Sequence, residues 1–186
     1  MRIVAGKNKG AKLFSPKSNA TRPTSDRVRE AIFNKIEHGD TPIDWPNTRT
    51  LDLFAGTGAL GLEALSRGAS FALFIEDAIE ARGVIRRNIE HLGFTGQTKL
   101  SRRDATKLGH LKRLIPFNLL FLDPPYDKSL GEKALNSAIE GNWMDEGAII
   151  ILEESKRATI NWPNGVQQID ERTFGDTHIH FAIRKN

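Results

Sequence analysis

The chain has 186 residues, 39% of them hydrophobic and 27% charged, which suits one well-buried domain rather than two. No apolar run approaches the roughly 20 residues that cross a bilayer. Met1-Arg2-Ile3-Val4-Ala5-Gly6-Lys7 lacks the apolar core of a signal peptide, and the absence of cysteine excludes disulfides and thiolate metal sites.

The net charge of +4 is unevenly placed. Residues 1–37 hold nine Lys or Arg against three acids, whereas the remainder holds 18 against 20. Such a basic front segment is the footprint of a phosphate-tracking element, although a solvated basic surface fits the same count. Within it, Arg2 to Ala5 and Ala11 to Phe14 predict a hairpin through Asn8-Lys9-Gly10. Thr24 or Ser25 can cap a helix with Val28, Ala31, Ile32 and Ile36 on one stripe, packed onto the main sheet. Gly39 to Arg49, with Pro42 and Pro46, reads as a linker.

From Thr50 onward, β-forming apolar runs alternate with helix-period segments, the pattern of a parallel sheet with crossover helices. Strands are predicted at Thr50 to Phe54, Ser70 to Ile75, Thr98 to Ser101, Phe117 to Leu122 and Gly147 to Leu152. Helices are predicted from Leu60, from Ala78, near Thr106 and from Leu130. Gln167 to Thr173 and His178 to Arg184 form a closing hairpin about Gly175-Asp176. The expected fold is an α/β doubly wound sheet with an antiparallel strand on its C-terminal side.

Two motifs carry chemistry. The run Gly56 to Gly61 fits G-x-G-x-x-G between a strand and a helix, with Glu76 lying 20 residues after Gly56 at the end of the second strand. That arrangement fits a dinucleotide, whose ribose the acid would grip. Asp52, inside the first strand, favours instead a ligand with an amino-acid moiety, since a pyrophosphate gains nothing from a carboxylate there. Asp104 is placed to accept from an adenine amine, or to cap the short helix that follows it. The second motif is Asp123-Pro124-Pro125-Tyr126, directly behind an apolar strand. Two prolines stop the sheet and supply no N–H, so an acid, a free carbonyl and an aromatic ring are presented together. That trio suits a planar base with an exocyclic amine, while a plain proline turn with a capping Asp accounts for the same residues.

Asp52-Leu53-Phe54-Ala55-Gly56-Thr57-Gly58 paired with Asp123-Pro124-Pro125-Tyr126 resembles the S-adenosylmethionine-dependent methyltransferases of exocyclic amines. With Arg2-Ile3-Val4-Ala5-Gly6, Lys9-Gly10 and the run Arg22-Pro23-Thr24-Ser25-Asp26-Arg27-Val28-Arg29-Glu30, the chain resembles the RsmD family, which methylates guanine N2 in bacterial 16S ribosomal RNA. The resemblance implies a Rossmann-like seven-stranded methyltransferase sheet, residues 39–186, behind a basic N-terminal extension, residues 1–38, in one compact domain. It implies S-adenosyl-L-methionine held by Asp52, Phe54, Gly56, Gly58, Glu76 (with Asp77 as fallback), Asp104 and Ala105. Asp123, Pro124 and Tyr126 would act on the base. Arg2, Lys7, Lys9, Arg22, Arg27 and Arg29 would meet RNA, with Arg22 equally suited to a structural ion pair.

The expected partner is 16S rRNA in the 30S subunit or its precursors, met by a cytoplasmic monomer. Alternatives are an amine methyltransferase acting on adenine N6 in DNA or RNA, an NAD-binding oxidoreductase, or a non-catalytic ribosome-binding factor. His38, His91, His110, His178 and His180 show no metal-ligand spacing, and the last two are expected on one strand face at the sheet surface, with no metal.

Overall fold

The computed structural model describes residues 1–16, 25–39, 42–126 and 128–185. Its strands are β1 (Arg49–Leu53), β2 (Phe71–Ile75), β3 (Thr98–Ser101), β4 (Phe117–Leu122), β5 (Met144–Ser155), β6 (Val166–Phe174) and β7 (Thr177–Arg184). Its helices are α1 (Asp26–His38), α2 (Ala59–Arg67), α3 (Ile79–Leu92) and α4 (Leu130–Glu140). The strands form one sheet in the order β3-β2-β1-β4-β5-β7-β6. β1 to β5 run parallel, and β7 inserts antiparallel between β5 and β6. This is the seven-stranded Rossmann-like sheet expected from the sequence. No helix among the described residues is long and apolar enough to cross a membrane.

The central strands are buried on both faces, which is why they read as continuous apolar runs rather than alternating ones. One core layer gathers Leu62, Phe74, Phe121, Ile151 and Phe181 under α2 and α3. The other gathers Leu51, Leu73, Phe117, Leu120 and Ile150 under α4. β5 is longer than expected because Met144, ahead of the apolar run, pairs with Phe117 before a register shift.

The front hairpin forms: Ile3 N–H donates to the Ala11 carbonyl at 2.9 Å, Gly10 N–H to the Ile3 carbonyl at 2.8 Å and Leu13 N–H to the Met1 carbonyl at 3.2 Å, around the antiparallel bridge of Arg2 and Lys12. It is stitched to the core by the Glu63 carboxylate, which accepts from the N–H groups of Val4 and Ala5 at 2.8 and 2.9 Å. One local expectation is corrected. The buried stripe of α1 is Arg29, Ile32, Phe33 and Ile36, rotated from the expected one, with Val28 and Ala31 only half-buried. Ser25 caps this helix, accepting from Val28 N–H at 3.2 Å, while Thr24 lies outside the described residues.

Candidate active site

In β1, Leu53 is in register with Ile75 of β2 on one side and Leu122 of β4 on the other. The next residues, Phe54, Glu76 and Asp123, therefore leave the sheet at one level on three adjacent strands. The chain passes from β1 to β2 and β3 on one side, then returns to β4 on the other. That reversal opens a crevice at the carboxyl edge, where open α/β sheets hold ligands. Both sequence motifs border it.

The glycine loop is built around positive φ angles at Phe54 (60°), Gly56 (55°) and Gly58 (76°). For a bulky residue such as Phe54 this conformation stores about 1–3 kcal/mol, which the surrounding bonds must hold. Glu76 supplies one of them, accepting from Gly56 N–H at 2.8 Å and from Ala78 N–H at 2.9 Å. Each carboxylate oxygen keeps a second lone pair, so this bracing is compatible with accepting a ribose hydroxyl. Asp52 supplies another, accepting from Gly61 N–H at 3.0 Å. A Cβ on Gly61 would lie 2.5 Å from the Phe74 ring and 3.1 Å from the Asp52 carboxylate, so the third glycine serves packing.

Asp52 is 2% exposed, and its carboxyl oxygen accepts from the N–H of Gly61 in the first turn of α2. Burial, reinforced by the neighbouring Glu76 charge, pushes its carboxyl up to about 8, against the opposing pull of the Gly61 N–H. Asp77 is exposed, and its carbonyl accepts from the Arg82 guanidinium at 2.5 Å. Asp104 caps the 3-10 turn Ala105–Lys107, with Oδ1 accepting from the N–H and hydroxyl of Thr106 at 2.8 and 2.6 Å. Those bonds hold its carboxyl below the usual range. Ala105 is buried, so only its backbone remains for a ligand.

On the other side of the crevice, Asp123 and Tyr126 are half-buried, Pro124 is buried and Pro125 exposed. The Tyr126 hydroxyl donates to Glu153 Oε1 at 2.6 Å and meets Thr177 Oγ1 at 2.9 Å. Burial and the Glu153 carboxylate raise its pKa above the ordinary phenol value, so it stays a neutral donor. The loop is thus tethered to β5 and β7. Glu153 and Thr177 were not found from the sequence, because neither belongs to a motif and both lie far along the chain.

The basic front segment divides. Arg2, Lys7, Lys9 and Arg27 are exposed, with Arg2 3.5 Å from Asp26 and Lys7 over the Phe94 ring at 4.4 Å. Arg22 lies outside the described residues. Arg29 is a correction: it is 0% exposed, donates to Asp26 at 2.7 Å and to the carbonyl of Arg2, and lies 3.8 Å from Glu63. It shares the buried face with Ile32, Phe33 and Ile36, where no surface of it is presented to a phosphate.

Asn88 is a further polar group the sequence reading passed over, although it interrupts the apolar stripe of α3 between Ile85 and Leu92. It is fully buried and holds the Thr57 carbonyl of the glycine loop at 2.9 Å. Away from the crevice, His178 and His180 do share a strand face. His180, however, is buried at 4% exposure rather than at the surface, which lowers its pKa. Glu171 joins them, and the three offer ligand-type atoms within 4.8 Å of one another.

Known proteins are similar to this chain. A ribosomal RNA small subunit methyltransferase D of Escherichia coli (strain K12) is 37% identical over 155 residues, covering 82% of this chain and 74% of that protein. One of the same name from Haemophilus influenzae is 32% identical over 177 residues, covering 94% and 89%. The structure described as "Putative methyltransferase yhhF from Escherichia coli" superposes with a TM-score of 0.84 at 30% identity, covering 100% of this chain and 98% of the other. The family model described as "Conserved hypothetical protein 95" matches residues 1–183, and with these relatives it shows that the chain belongs to the RsmD family.

Proposed function

We propose that the protein methylates ribosomal RNA, and that its target is the exocyclic N2 amine of a guanine in 16S rRNA, swung out of its helix. The observation that carries this reading is the common level of Phe54, Glu76 and Asp123 on three adjacent strands, which sets a ligand-cradling loop beside an amine-accepting one. Relatives named for small-subunit rRNA methylation support the target class.

The residues fit S-adenosyl-L-methionine. A Cβ at Gly56 would meet only Phe54 O, at 3.9 Å, so the loop backbone is open to close approach by a ligand. Glu76, with Asp77 as fallback, would accept from the ribose, and Asp104 Oδ2 or the Ala105 backbone would meet the adenine. Bound there, S-adenosyl-L-methionine supplies a methyl group on a sulfonium leaving group.

The chain's own task is to make a poor nucleophile competent, because the amine lone pair is delocalised into the base. The Asp123 carboxylate and the Pro124 carbonyl accept its two N–H bonds, which directs the lone pair out of the ring plane. The nitrogen that accepts the methyl group would become cationic and release its proton afterwards, so no strong base is required of these residues. Holding two reactants in line can lower a barrier by about 7–11 kcal/mol at the extreme. Tyr126 stacks on the base, which is worth about 1–3 kcal/mol. Its hydroxyl bonds keep the ring in one orientation. Arg2, Lys7, Lys9 and Arg27, with Arg22, contact phosphates of the small-subunit particle.

The test is to incubate the protein with labelled S-adenosyl-L-methionine and undermethylated 30S subunits, then locate the label by mass spectrometry. Label on N2 of a guanine in 16S rRNA is expected. Label on an adenine would shift the reading to N6 chemistry, and no label in RNA would sink it. Asp123→Ala should lose turnover by at least about a hundredfold, given how sharply positioning controls rate. Calorimetry should find its cofactor affinity unchanged.

A further inference from the structure

Phe14 is a large apolar side chain left 37% exposed at the end of the basic arm. It is nevertheless held in place. Asn88 accepts from its N–H at 2.7 Å and donates to its carbonyl at 3.1 Å, so both backbone groups are fixed by one buried amide. Two exposed groups of α3, one turn apart, flank the ring. The Arg87 guanidinium lies over it at 4.1 Å, and the His91 ring meets it edge-on at 5.4 Å. Lys12 and Arg86 are exposed nearby in sequence.

A fixed aromatic with a planar cation stacked on it, in a basic surround, has the composition that holds an unstacked nucleobase. An apolar partner would leave Arg87 unmatched, whereas a nucleotide satisfies both the ring and the charge. We propose that Phe14, Arg87 and His91 form a stacking platform for an unpaired RNA nucleotide flanking the methylated one. This rests on the ribosomal RNA reading above and adds a second recognition point outside the arm's lysines and arginines. Asn88 explains its placement: the amide that clamps Phe14 also holds Thr57 of the glycine loop, so a single side chain separates the platform from the cofactor crevice.

The experiment measures steady-state methylation of undermethylated 30S subunits, with filter binding of an undermethylated 16S rRNA fragment as a second readout. Phe14→Ala and Arg87→Ala should each raise KM for the subunit and weaken fragment binding by about five- to a hundredfold, the range of one stacked base. Cofactor affinity and the melting temperature should stay as in the wild type. Phe14→Trp should restore binding, and Arg87→Lys should keep the salt dependence but not the affinity. Unchanged KM and fragment binding in both alanine variants would overturn the platform while leaving the methyltransferase reading intact. A wild-type protein that binds the fragment in a Phe14-dependent way yet transfers no label would sink the enzyme reading and spare the platform. Phe14-dependent binding of a poly-glutamate peptide with none to RNA would overturn it in favour of a protein partner.

Discussion

Asp52 is a buried acid bonded to the first turn of α2, directly after the glycine loop. Its carboxyl, raised by burial to about 8 against an ordinary value of 3.8, keeps a proton in the native protein that the unfolded chain gives up. Stability contributed by this group is therefore fully present below about pH 4, declines as pH rises, and levels off above about 8. Asp52→Asn cannot ionise. Its melting temperature relative to wild type should climb steadily from pH 5 to pH 8 and stay constant beyond; an equal difference at both ends of that range would remove the ionisation cost. An acid beside the loop was legible in the chain, but not that a backbone N–H nine residues on would bond to it. Arg29 misled for a similar reason. Its charge was visible, whereas its place on the buried face follows from the rotation of α1, and there the Asp26 and Glu63 carboxylates and the Arg2 carbonyl offset its burial.

Among the elements, the strands and crossover helices were legible because their apolar runs are long and bounded by glycine and proline. The support of the Asp123 loop was not. Tyr126 reaches Glu153 and Thr177, 27 and 51 residues further on, and these meet only because β7 turns back antiparallel along β5, with Ser155 opposite Thr177. Such contacts depend on pairing register, which no local motif encodes. Tyr126→Phe keeps the ring but removes the hydroxyl's bonds to Glu153 and Thr177, a loss of about 1–3 kcal/mol in loop anchoring. If anchoring holds the loop for transfer, this variant should lower kcat about tenfold at unchanged cofactor affinity. Tyr126→Ala, which also removes the stacking ring, should raise KM for the subunit as well. Equal effects of the two variants on kcat and KM would mean that the hydroxyl contributes all of the residue's role.

At the scale of the whole molecule, the basic arm is bonded into the core rather than appended to it. Ile3 and Leu13 lie in the same apolar cluster as Ile32, Phe33 and Leu62. Ser66 donates to the Ala5 carbonyl at 2.6 Å, and its own carbonyl accepts from Lys7 N–H at 2.8 Å. Gly6 makes that seam possible. Its φ is +77°, and a Cβ there would fall 1.8 Å from the Ser66 carbonyl oxygen, backbone that cannot yield without moving α2. Since α2 begins at the end of the glycine loop, a disturbance at Gly6 should reach the cofactor crevice. Gly6→Ala is expected to destabilise by more than about 1 kcal/mol, because both the φ angle and the close approach oppose it. If arm and core form one cooperative unit, thermal unfolding should remain a single transition at a lower temperature, seen alike by far-UV circular dichroism and tryptophan fluorescence. S-adenosyl-L-methionine affinity should fall with it. Two separated transitions, or a variant that loses RNA binding while its stability and cofactor affinity match the wild type, would show instead that the arm is an independent attachment.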